Sequence, residues 1–263
     1  MKTKALVIFS GGQDSTTCLF WAKKRYDEVY AVTYNYGQRH FREIEAAAKV
    51  SELAGIKEHV IIDVGSVLQG TSPLVSNAVL EQYTDMHSLP GGLEKTFVPG
   101  RNMLFLTLAS NHAYARGITD IVTGVCEEDY GGYPDCRQYF ITRAEKALQA
   151  GFAYDNNDSF NNLKIHTPLM ALSKAATVLL ASKLGDDCWD ALAYSHTAYD
   201  GAYPPLGNDH ATLLRAKGFL EAGLPDPLVV RAFKEGLMEL PETTNYQIYE
   251  NERMRYVQSM FAF

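Results

Sequence analysis

The chain has 263 residues, 46% of them hydrophobic and 21% charged. That is enough apolar material for a sizeable core, and it excludes disordered, collagen-like and disulfide-stapled designs. Lys and Arg number 24 against 31 Asp and Glu, a net charge of −7, which argues against nucleic acid as a partner and leaves room for a local anion site. Cys18, Cys126, Cys136 and Cys188 form no CxxC pair, so free thiols in a reducing cytoplasm are expected. Behind Lys2 and Lys4 the apolar run is too short for a signal peptide, and no run approaches the ~18 residues of a membrane helix.

Taken in chain order, residues 5–9 (ALVIF) form a continuous apolar run, the pattern of a strand buried on both faces. Ser10-Gly11-Gly12-Gln13 breaks it, and a helix opens at 14–17. Residues 28–34 (EVYAVTY) are a second strand. A helix follows, with Phe41, Ile44, Ala47 and Ala48 at helical spacing and a stop at Gly55. Strands are expected at 59–64, 118–125 and 163–166, with helices over 102–115 and 172–184. This alternation predicts a doubly wound parallel α/β sheet over residues 1–190. Residues 70–95 are polar and rich in turn formers, an excursion or lid. From 191 to 263 the rhythm is lost, and a helical C-terminal lobe is expected.

The loop from Ser10 to Ser15 sits between a strand and a helix. There glycines let successive N–H groups converge, and the helix dipole favours an anion. Ser10, Ser15 and Thr16 add hydroxyls. A plain turn capped by Asp14 or Ser15 is the competing account. No Gly-Lys pair exists in the chain, so this is not a Walker A loop, and it is not GxGxxG either. The SGGxDS string is the signature of the PP-loop ATPases, which adenylate a carboxylate or carbonyl and release pyrophosphate.

The likeness extends to FSGGQDSTTCL (9–19), YGQRH (36–40), TFVPGRN (96–102), GVCEEDYGGYPDCR (124–137) and TPLM (167–170). Together, over about residues 4–227, they resemble the QueC-type 7-cyano-7-deazaguanine synthase family. The resemblance implies a PP-loop fold and a reaction in which 7-carboxy-7-deazaguanine is adenylated by ATP with Mg²⁺, aminated by ammonia to an amide, activated again and dehydrated to the nitrile. It implies that Phe9, Ser10, Gly11, Gly12, Gln13, Asp14, Ser15, Thr16 and Thr17 hold ATP, with Gln38, Arg39, His40, Gly100 and Arg101. Asp14, Ser15, Arg101 and Lys174 are the expected catalytic residues. Arg101 suits a phosphate or carboxylate bidentately, and Lys174 suits the charge that develops on the phosphates. Glu127, Asp129, Tyr133, Asp135 and Arg137 are expected to recognise the deazaguanine, whose N1–H and amino edge suits carboxylates and whose face suits an aromatic ring. A solvated acidic loop is the alternative for this segment, and surface or helix-face residues are the alternatives for Arg101 and Lys174.

The chain also departs from the family. The resemblance implies structural zinc on four C-terminal cysteines, yet the clustered positions here are Leu206, Asp209 and Thr212. No metal is therefore expected; His196, Asp209 and His210, joined by Cys188, form the weaker alternative. Packing by Tyr194, Tyr199, Tyr203, Leu206 and Phe219 is expected to fill the space. Ala176 stands where a KAET-like Glu is usual. The aromatic tail is expected to pack on its own chain or at a homodimer interface. A product that stops at the amide, another deazapurine substrate, a different adenylating enzyme and a nucleotide sensor without turnover are the competing functions.

Overall fold

The computed structural model describes residues 2–37, 41–68, 70, 72–76, 81–84, 93–127, 132–205 and 207–249. Gln38, Arg39, His40, Asp129, Leu206 and the tail past residue 249 lie outside the described residues. The strands β1 (Lys4–Ile8), β2 (Glu28–Asn35), β3 (Glu58–Asp63), β4 (Asp120–Val122) and β5 (Lys164–His166) form one parallel sheet, ordered β3-β2-β1-β4-β5. This is the expected doubly wound architecture.

The central strand shows why the apolar run is unbroken. Ala5 and Val7 face a core shared with α1 (Gln13–Lys23), α2 (Arg42–Ala54), α5 (Lys174–Lys183) and α6 (Asp186–Leu192). Leu6 faces the opposite core, with Leu106 of α3 (Arg101–Tyr114) and Ile141 of α4 (Gln138–Phe152). Each such side chain, fully buried, contributes about 1.5–3 kcal/mol, so a charge placed at Val7 is expected to unfold the sheet. Two further helices, α7 (His210–Ala222) and α8 (Pro227–Lys234), follow. Phe219 of α7 packs in the same core as Val7 and Leu19.

Because β2 and β3 lie on one side of β1 while β4 and β5 lie on the other, the connections diverge at the carboxyl ends of β1 and β4. That divergence leaves a crevice where ligands of such sheets bind.

Some elements differ from expectation. β4 is shorter than the 118–125 run, because past Thr123 the chain leaves the sheet and lies on the first turn of α1, where a Cβ on Gly124 would come within 3.3 Å of the Asp14 carbonyl carbon. In α2 the buried face is Ala46, Ala47, Val50 and Ala54, while Phe41 precedes the helix and is 70% exposed. Gly55 ends that helix as expected, in the left-handed conformation at φ 57°. α4 and α6 are elements that the apolar spacing did not single out.

Candidate active site

A cavity of about 340 Å³ opens at the switch point, lined by Ile8 at the end of β1, by residues 9–15 after it except Gly11, and by residues 123–125 after β4. Its floor is the start of α1. Gly12 occupies the cap position, and no side chain caps the helix. Neither Asp14 nor Ser15 is the cap, and the positive end of the α1 dipole lies at the cavity, where it favours an anion. The loop is braced internally: Ser10 N–H donates to Ser15 Oγ (3.2 Å), the two hydroxyls lie 3.1 Å apart, and Ser15 Oγ donates to Gly12 O (3.2 Å). Gly11 is turned away from the cavity. With φ +81° it lies against α2, and a Cβ there would sit 2.6 Å from Ala47 N and 2.7 Å from Glu43 O, so only glycine fits. Thr16 and Thr17 are buried in α1, where Thr17 Oγ1 donates to Gln13 O; neither lines the cavity.

Lys174 comes to this loop from 160 residues away. It is the first residue of α5, Ser173 Oγ accepts from Ala176 N–H at the start of that helix, and the ammonium reaches Asp14 Oδ2 at 2.6 Å. Gly218 of α7 makes room: a Cβ on it would lie 2.9 Å from Lys174 Cβ. Arg101 lines another wall, placed by Gly100, which adopts φ 79° just before α3. Burial opposes the Arg101 charge, but Tyr36, Tyr133, Tyr199 and Asp135 outweigh it and hold the guanidinium ionised. Glu43, in the first turn of α2, also lines the cavity. Burial raises its carboxyl to about 7, with Arg101 pulling the other way.

The acidic-aromatic motif divides. Tyr133 lines the cavity, with its hydroxyl 2.6 Å from Thr96 Oγ1 and its ring 5.4 Å from Phe97. Asp135 is buried behind it, accepting from Asn102 N–H at 3.4 Å; desolvation lifts its carboxyl above the usual range. Glu127 accepts from Gln138 N–H at 2.7 Å, which satisfies the start of α4, and Arg137 is the exposed cap residue of that helix. Neither lines the cavity. Tyr34 and Phe105 stack at 4.4 Å and 18° as a further aromatic wall.

Glu43, Arg215 and the wall from Thr197 to Tyr199 were not singled out as site residues, although all line the cavity, as does His196, which was named only as a weaker metal alternative. The signal for Arg215 is an arginine inside the apolar string Leu213-Leu214-Arg215-Ala216. Glu43 carries no such local signal, since its position depends on how α2 lands on Gly11.

The donor set does not fit zinc. His196 Nε2 lies 2.8 Å from Ala198 O, and burial keeps its ring below the usual histidine range. Asp209 caps α7 by accepting from Thr212 N–H at 2.9 Å, and His210 faces Glu94 at 3.7 Å. Cys188 is fully buried in the core, which pushes its thiol up to about 12. Among the described residues no three His, Cys, Asp or Glu side chains converge for a metal. Nor, among them, is any helix long and apolar enough to cross a membrane.

Residues 4–223 match the family described as queuosine biosynthesis protein QueC. A 7-cyano-7-deazaguanine synthase of Gloeobacter violaceus is 53% identical over 86% of this chain and 95% of its own length. One from Chromobacterium violaceum is 49% identical over 88% and 95%. Among solved structures, an NMN synthetase from Francisella tularensis is 14% identical, covering 90% of this chain and 78% of its own, with a TM-score of 0.39. With the family matched across nearly all of the sheet and cavity, the chain belongs to the QueC family.

Proposed function

We propose that this protein is an ATP-dependent ligase that converts 7-carboxy-7-deazaguanine and ammonia to 7-cyano-7-deazaguanine. The observation that carries this reading is the meeting of Lys174 with Asp14 over the uncapped start of α1, in a cavity that also holds Arg101. Such a site suits an oligophosphate and the charge that gathers on leaving pyrophosphate.

The substrate carboxylate attacks the α-phosphorus of ATP, and pyrophosphate departs against the α1 N–H groups, Ser10, Ser15 and Lys174. Arg101 pairs with the carboxylate or a phosphate. Ammonia displaces AMP to form the amide; a second activation and loss of the oxygen complete the nitrile. Asp14 orients Lys174 and releases it to the nucleotide as charge builds. Tyr133 stacks on the deazaguanine, and Asp135 supports that wall through the start of α3. Gln38, Arg39, His40 and Asp129 retain their expected roles at the nucleotide and the base. Mg²⁺ accompanying ATP, a homodimer and a cytoplasmic setting complete the reading.

The test incubates the enzyme with ATP, Mg²⁺, ammonia and 7-carboxy-7-deazaguanine, and reads acid, amide and nitrile by mass. Nitrile with AMP and pyrophosphate is expected. Accumulation of the amide alone would make the amide the product, and ATP binding without pyrophosphate release would make the protein a sensor. Asp14→Ala is expected to lower release about 10²–10³-fold.

A further inference from the structure

The segment from Ala193 to Tyr203 crosses the phosphate loop. His196 N–H donates to Gly11 O at 2.9 Å, and His196, Thr197, Ala198 and Tyr199 line the cavity. This is the region where the family resemblance calls for zinc and where the donor set does not fit it.

Other groups hold the segment. The Arg215 guanidinium donates to Ser195 Oγ (2.8 Å), Thr197 Oγ1 (2.9 Å) and Leu192 O (3.2 Å), and forks onto both oxygens of Asp226 (2.6 and 2.8 Å). Asp226 in turn caps α8, and its own N–H donates to Tyr246 Oη. From α8, Arg231 donates to Ala193 O at 2.9 Å, and its guanidinium lies over the rings of Tyr194 (4.6 Å) and Tyr203 (4.4 Å). Glu235 accepts from both Arg231 Nε (2.9 Å) and Tyr203 Oη (2.6 Å). α8 thus grips both ends of the segment that walls the cavity. The family match ends at residue 223; Asp226, Arg231 and Glu235 lie past it, and Arg215 lies within it.

We infer that residues 226–246 replace a metal in this chain, and that Arg231 is a positioning residue that sets the 193–203 wall against the nucleotide loop. A guanidinium suits this task because it offers a fixed fork of donors and a flat face for aromatic rings. The inference rests on the reading of the loop at 10–15 as the nucleotide site.

The test uses the full-length protein. Metal analysis is expected to find substoichiometric zinc, and a zinc-selective chelator in Mg²⁺ buffer is expected to leave the melting temperature unchanged. Arg231→Ala is expected to raise the ATP KM roughly 5–10-fold with kcat within about twofold, and to speed proteolysis between residues 193 and 205. Tyr203→Phe and Glu235→Gln are expected to raise KM by about two- to threefold, and they decide the matter should Arg231→Ala fail to fold. Lys234→Ala, exposed on the same helix, is the control with wild-type values. One zinc per chain with chelator-sensitive melting overturns the inference. So does a wild-type ATP KM in folded Arg231→Ala, or in both milder variants where that protein does not fold. Asp14→Ala separates the two readings. If it abolishes turnover while the α8 variants change nothing, only the α8 inference falls; if it changes nothing, the nucleotide reading falls.

Discussion

Two ion pairs of the same chemistry stand beside one cavity and serve opposite ends. Lys174–Asp14 meets at 2.6 Å with side chains 16% and 24% exposed; Arg215–Asp226 meets at the same distance with side chains 3% and 4% exposed. The first pair keeps a flank open to the cavity, so a ligand phosphate can compete for the ammonium. The second is closed: all three guanidinium nitrogens are engaged, and Asp226 also caps a helix. The two pairs differ in how far the fold has closed them off from solvent, and on the proposed function that difference separates a charge that meets a ligand from one that holds the chain together.

The largest effect is expected on the closed pair. Asp226→Ala leaves a buried guanidinium without its carboxylate and is expected to cost about 3–5 kcal/mol in urea unfolding; a loss below ~1 kcal/mol breaks the contrast. Lys174→Ala is the mirror experiment. Pyrophosphate release is expected to fall about 10²–10³-fold, with stability changed by less than ~1 kcal/mol. A large stability loss with intact release would make the two pairs alike.

A third acid sharpens the comparison by titrating. Folding raises the Glu43 carboxyl from 4.5 to about 7, so its contribution to stability is full below pH 4.5 and lost as pH rises through about 7. Glu43→Gln is expected to be more stable than wild type at about pH 8.5 by ~1–3 kcal/mol, and equal to it at about pH 4. The ATP KM of wild type is expected to rise roughly two- to fourfold across neutrality as the anion forms beside the phosphates, and to stay flat in the variant. A parallel rise in both assigns the titration elsewhere. The smallest effect is at the start of α5. Ser173 and a Glu at position 176 make a capping box, of which Ala176 leaves only the half from Ser173 Oγ. Ala176→Glu is expected to add about 0.5 kcal/mol in thermal unfolding without altering kcat. A lower melting temperature contradicts this account of the helix start.

Much of this was legible in residue order. The run at 5–9 names a strand buried on both faces, Gly55 names a helix end, and SGGQDS names the turn between strand and helix. Arg101 and Lys174 were legible through the motifs beside them, and both line the cavity. Glu43 was not legible, because its place depends on α2 packing its backbone onto Gly11, a contact between distant segments. The places of Glu127 and Arg137 were not legible for a related reason. Glu127 reaches the Gln138 N–H and Arg137 stands exposed at the start of α4, positions set by the path of α4 and not by the motif. α4 buries Ile141, Ala144 and Leu148 and packs Phe140 and Phe152 against the same core, a stripe that stands beside a motif that draws attention first.

Gly124 carries one more lesson. With no side chain between them, the end of β4 rests directly on the first turn of α1, and its missing Cβ would stand 3.3 Å from Ser15 N. The nucleotide floor and the facing wall therefore share a boundary one backbone thick. On the proposed chemistry, the acyl adenylate and the incoming ammonia occupy a single chamber, and a reactive mixed anhydride need not travel through water before it is consumed.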